Sequence, residues 1–150
     1  MTKLSDRSET LLKSAGWREG RSIDITSLVR HLESKGYSVF PFVVAFLKEF
    51  GGLKIQNPSA KPPAAKNWHF DVVEASRRTS LERIKRLYIP RVQSDLCIIG
   101  ESEDEYVTLM MDKKGQVFGG FEDHLVFLGK SGHAAINQLA SEKYARPVGQ

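Results

Sequence analysis

The chain has 150 residues, 41% apolar and 27% charged, with a formal charge of +4. That length suits one domain of the common ~100 to 150-residue size, which buries enough surface to fold without staples. Its single cysteine, Cys97, cannot form an internal bridge, and no apolar run approaches the ~18 to 20 residues of a membrane span, so a disulfide scaffold and a membrane-spanning chain are excluded.

Taken in chain order, Asp6 with Glu9 three residues later reads as an N-terminal cap, and Leu11, Leu12 and Ala15 give the following helix one apolar stripe before Gly16 stops it. Thr26 as cap, Leu28, Val29 and Leu32 on one face, and Gly36 as terminator predict a second helix. Pro41 suits the first turn of a third. Its Phe42, Val43, Phe46, Leu47 and Phe50 recur at helical spacing and should be buried, with Lys48 and Glu49 outward, until Gly51-Gly52 ends it. A short strand at Leu53-Lys54-Ile55 leads into residues 57–66, whose three prolines and small side chains predict a mobile loop. Trp68-His69-Phe70-Asp71 alternates aromatic with polar, as a strand with one wet face does. Ser80 then caps a helix with Leu81, Ile84 and Leu87 inward and Glu82, Arg83, Lys85 and Arg86 outward.

Beyond that helix the period changes from helical to alternating. Leu96 to Ile99, Tyr106 to Met111, Gln116 to Phe121 and Leu125 to Leu128 are strands whose connections are too short for a helical crossover, so they meander antiparallel. Asp112-Lys113-Lys114-Gly115 supplies one tight turn, with glycine where a positive φ is wanted. Ser131 caps a closing helix through Ala134, Ala135, Ile136 and Leu139, and residues 141–150 read as a frayed tail. The expected fold is one α+β domain with N-terminal helices packed on a twisted antiparallel sheet of about five to six strands and a closing C-terminal helix.

Charge is unevenly placed. Residues 54–91 carry nine basic side chains against three acidic ones, whereas residues 101–124 carry seven acids against Lys113 and Lys114. Catalytic and metal motifs do not assemble. His31, His69, His124 and His133 share no short spacing with one another or with Cys97, so neither a metal nor a cofactor is expected. Gly129-Lys130-Ser131 resembles the end of a phosphate loop, but that motif needs glycine where His124 stands. Asp123-His124 lacks a nucleophile elbow and reads as a turn. Glu101-Ser102-Glu103-Asp104-Glu105 reads as a plain solvated loop or, alternatively, as a patch for a cationic partner. Binding is therefore expected rather than catalysis. One alternative is a small basic nucleic-acid module using Arg77, Arg78, Arg83 and Arg86, although aromatic interleaving is missing there.

Read in order, Ala15-Gly16-Trp17 with Gly20-Arg21, the block from Phe46 to Leu53, Trp68-His69-Phe70-Asp71, Ile98-Ile99-Gly100-Glu101 and the run from Leu109 to Phe118 resemble the SUKH superfamily, most closely its third immunity-protein branch. Leu128-Gly129-Lys130-Ser131 followed by Ala134 to Leu139 matches that branch's closing helix, so the likeness runs from about Leu11 to Leu139. The resemblance implies a cytoplasmic, non-enzymatic immunity protein that occludes the toxin domain of a bacterial polymorphic toxin or contact-dependent inhibition system. No membrane or nucleic acid is an expected partner, and the protein is a monomer or weak dimer. The expected toxin-binding surface is acidic, formed by Glu101, Glu103, Asp104, Glu105, Glu122 and Asp123. Tyr106, Trp17 and Arg21 serve as anchors, because interface hot spots favour Tyr, Trp and Arg.

Overall fold

Three helices open the computed structural model, which describes residues 2–102 and 106–149: α1 (Asp6–Ser14), α2 (Thr26–Ser34) and α3 (Pro41–Phe50). Strands β1 (Lys54–Gln56) and β2 (Asn67–His69) follow, then α4 (Val72–Arg78), α5 (Leu81–Leu87) and the single turn α6 (Ile89–Val92). The chain continues through β3 (Leu96–Ser102), β4 (Val107–Asp112), β5 (Val117–Phe121) and β6 (His124–Gly129), then α7 (Gly132–Ala140) and the short β7 (Arg146–Pro147). The class is α+β as expected, and the sheet has seven strands among the described residues rather than five or six. They lie side by side in sequence order, every neighbouring pair antiparallel.

The residue just before the helix caps the first free N–H groups of α1, α4, α5 and α7 with a side-chain acceptor, while those before α2, α3 and α6 do not. Ser80 and Ser131 cap α5 and α7 as expected, accepting from Arg83 N and Ala134 N. Two starts differ from the sequence expectation. Ser5, not Asp6, caps α1 by accepting from Ser8 N at 3.1 Å. Thr26 lies inside α2, and Asp24 Oδ1 accepts from both Thr26 N and Thr26 Oγ1. Asp71 accepts from Val73 N and Glu74 N and so starts α4, a helix the alternation around Trp68 conceals. The strand therefore stops at His69, and its expected wet face is absent: Trp68, His69 and Phe70 are all buried.

Every residue of β3 is buried, and because successive strand residues point to opposite faces, both faces must be covered. The unbroken run Leu96-Cys97-Ile98-Ile99 provides side chains for both. Phe46 meets Phe70 edge-on at 4.8 Å and Trp68 meets Phe70 at 5.7 Å, an aromatic chain that fixes α3 beside β2. Three further expectations change. Phe42, at the start of α3, is 56% exposed rather than buried, its ring against the turn at Gly115. Residues 57–66 are docked: Asn57 is buried and accepts from Arg7 Nη2 at 2.7 Å, and Ala65 N donates to Leu139 O. The tail after residue 140 pairs with β6 through Arg146 and Pro147.

Candidate functional site

The β5–β6 connection contains only Glu122 and Asp123, so its position is set by the strands on either side. Register between β4 and β5 pairs Thr108 with Gly120, which brings Tyr106 to the same end of the sheet. Tyr106 is 71% and Phe121 39% exposed, and their rings meet edge-on at 6.1 Å. His124 stacks on Phe121 at 6.4 Å, and its Nε2 lies 3.7 Å from Asp123 Oδ1. Two acids and two exposed rings thus share one hairpin tip, with Tyr106 packed beside it.

That tip is held from below. Tyr88 donates through its hydroxyl to Glu122 O at 2.6 Å, and burial raises its pKa, so it remains a donor across the physiological range. Its ring leaves no room for a side chain on β5, since a Cβ at Gly120 would lie 2.5 Å from Tyr88 Cζ. Arg91 donates to Asp123 O and, at 2.8 Å, to Val148 O, tying tip and tail together. A cleft of about 190 Å³ opens beside the tip between Arg83, Tyr88, Tyr106 and Phe121.

Glu101 does not belong to a solvated loop. It sits within β3, 1% exposed, and binds Arg78 in a fork: Nε to Oε2 at 3.0 Å and Nη2 to Oε1 at 2.8 Å. His69 accepts from Asp71 N at Nδ1, so its Nε2 carries the proton and donates to Glu101 Oε1 at 3.0 Å. Burial pushes the Glu101 carboxyl up, but the hydrogen bonds from His69 and Arg78 outweigh it and hold the group below the usual glutamate value. Arg78 also reaches Glu74 at 2.7 Å, and Arg77 pairs with Glu74 at 3.0 Å. Two of the four arginines offered to nucleic acid are thus already committed to carboxylates.

The remaining expected residues divide. Tyr106, Glu122 and Asp123 meet at the tip, while Glu103, Asp104 and Glu105 lie outside the described residues. Trp17 is only 6% exposed and donates through Nε1 to Glu49 Oε2 at 3.2 Å. Arg21 is half-buried, its two terminal nitrogens donating to Glu49 O and Gly51 O where α3 ends. Both work on the end of α3, away from the tip. Phe121 and His124 are the members that sequence reasoning missed: strand alternation absorbs the first, and the second reads as part of a turn. Among the described residues, no three His, Cys, Asp or Glu side chains converge as a metal site, and no helix is long and apolar enough to cross a membrane.

Residues 4–142 match the family model described as SUKH-3 immunity protein. No curated protein and no solved structure matches the chain.

Proposed function

The chain belongs to the SUKH-3 immunity protein family, and from that premise we propose that it neutralises a cognate toxin domain by stoichiometric occlusion. The family implies toxin immunity in general. The finer reading is that the toxin is the variable tip of a bacterial polymorphic toxin or contact-dependent inhibition system, met in the cytoplasm. Binding alone suffices, with no bond made or broken.

The observation that carries the surface is the hairpin tip, where Tyr106 and Phe121 stand exposed beside Glu122 and Asp123 on carbonyls fixed by Tyr88 and Arg91. Rigid aromatic side chains provide contact area at low entropic cost, and fixing the backbone beforehand removes part of the ordering penalty of association. The two carboxylates speed encounter with a cationic toxin surface. Glu103, Asp104 and Glu105 immediately precede Tyr106 in sequence and belong to the same proposed acidic set. Trp17, Arg21 and Glu101 contribute by holding the scaffold.

The test takes its candidate toxin domains from the reading frames that flank this chain's gene. Co-expression should rescue cells from it, and the purified pair should form a one-to-one complex. Combining Tyr106→Ala with Phe121→Ala should weaken binding by about 2 kcal/mol or more, the scale of interface hot spots. Pairing Glu122→Asn with Asp123→Asn should lower the association rate and flatten its salt dependence, asparagine being chosen because it tolerates the positive φ of +52° at Glu122. Full protection and unchanged salt dependence in both double variants would exclude the tip as the contact surface.

A further inference from the structure

At the opposite end of β5 from the hairpin tip, about 17 Å away for a five-residue strand, a second surface remains open. The turn carrying Lys114 and Gly115, the turn carrying Lys130, and one face of α3 enclose a cleft of about 350 Å³. Its floor is apolar, made by Phe46, Phe50 and Met111. Phe42 and Ala45 line its side on the same stripe of α3 as Phe46, and Phe42 is the most exposed phenylalanine among the described residues. A large ring left in water at the mouth of an apolar cleft costs solvation free energy that a partner side chain would recover.

Charge selects the partner. Lys114 and Lys130 line the cleft, and neither pairs with a carboxylate among the described residues. The acid nearby, Glu49, is already engaged on both oxygens: Trp17 Nε1 donates to Oε2 at 3.2 Å, and His133 Nε2 lies 3.0 Å from Oε1. Glu49 lines the cleft with both oxygens occupied, and the two lysines outnumber it there. The volume is at the low end of the ~300 to 1,000 Å³ typical of ligand clefts, which suits one or two side chains better than a cofactor. We infer that this cleft receives a short acidic segment of a protein partner, seating an apolar side chain against Phe42, Phe46 and Met111 while neighbouring carboxylates pair with Lys114 and Lys130. The inference does not rest on the immunity reading of the tip.

Random peptides displayed on phage, panned against the purified full chain, provide the probe. Enriched peptides are then synthesised with a fluorescent label and titrated by anisotropy. They should combine aspartate or glutamate with a bulky apolar residue, and their affinity should fall about tenfold or more with Phe42→Ser, with Lys114→Glu plus Lys130→Glu, and with raised salt. Lys114→Arg plus Lys130→Arg should retain binding, and circular dichroism should show each variant folded, as expected for exposed positions. No enrichment, a neutral or basic consensus, or affinities indifferent to these variants would overturn the proposal. Loss of peptide binding in the Glu122→Asn, Asp123→Asn variant would also overturn it, by placing the peptides at the tip. Toxin protection that survives the cleft variants leaves the two surfaces separately judged.

Discussion

Tyr88 and Glu122 are 34 residues apart in sequence and joined by a single 2.6 Å bond, from the phenolic hydroxyl to the carbonyl of the hairpin's first loop residue. The bond fixes a residue with φ +52°, a conformation disfavoured for glutamate. Tyr88→Phe keeps the ring against Gly120 and removes only the donor. Stability should fall by about 1 kcal/mol, the usual net worth of one hydrogen bond, measured by urea unfolding. Toxin dissociation should quicken while the far end of the sheet keeps its hydrogen-exchange protection.

Glu101 provides a pH signature. Its carboxyl is held below the ordinary glutamate value because the hydrogen bonds from His69 and Arg78 exceed the burial penalty. As acid is added, the unfolded chain therefore takes up the proton first, near the ordinary value of about 4.3, and the folded chain only below that. The stabilisation is complete above that window and disappears as pH falls through the folded pKa. Glu101→Gln should cost about 2 kcal/mol at neutral pH and remove this part of the acid slope, measured by thermal unfolding across pH. An unchanged slope would mean other carboxylates set it.

Arg21 satisfies two carbonyls where α3 ends, those of Glu49 and Gly51, at 2.6 and 2.9 Å. Arg21→Ala should destabilise the protein by about 2 kcal/mol, as expected for losing a charged donor to partly buried acceptors. Arg21→Lys should recover only part, since an ammonium cannot span two acceptors as the planar fork does. Chemical denaturation measures both. Toxin affinity per folded molecule should stay near wild type.

Cys97 is buried within β3, and burial pushes its thiol up to about 12. Almost no thiolate exists at neutral pH, and reagent cannot reach the sulfur in the folded state. A chromogenic disulfide reagent should leave it unmodified in the native protein and titrate one equivalent in denaturant, with a native rate that follows global unfolding.

The central strands were legible because their side chains obey a period of two and their connections are too short for anything but hairpins. Helix α4 was not, although Asp71 and Glu74 stand at capping-box spacing: Val72-Val73 is β-branched and continues the alternation from Trp68. At the site, Glu122 and Asp123 could be named because loop residues beside strand ends are exposed almost by construction, whereas Tyr106, named for its residue type and read as the first residue of a strand, stands just before β4. Glu101 misled for the opposite reason. Adjacent acids on a chain read as one patch, yet a strand turns each residue from the next, and the arginine that receives Glu101 lies 23 positions upstream on another element. Pairings of that kind arise from tertiary structure and leave no local trace. Phe42 has the same origin: its spacing is that of a core residue, but its ring lies against the turn at Gly115 and stays largely in water.

The sequence-ordered sheet also shapes how the molecule is made. During synthesis each strand leaving the ribosome finds its neighbour already emerged, so no segment waits for a remote mate and loop-closure penalties stay small. The exception comes last. Until Arg146 and Pro147 dock, β6 presents an open edge to the crowded cell. The guanidinium of Arg91 that clasps Val148 also clasps Asp123, so the cover of that vulnerable border and the hairpin tip hang on one side chain.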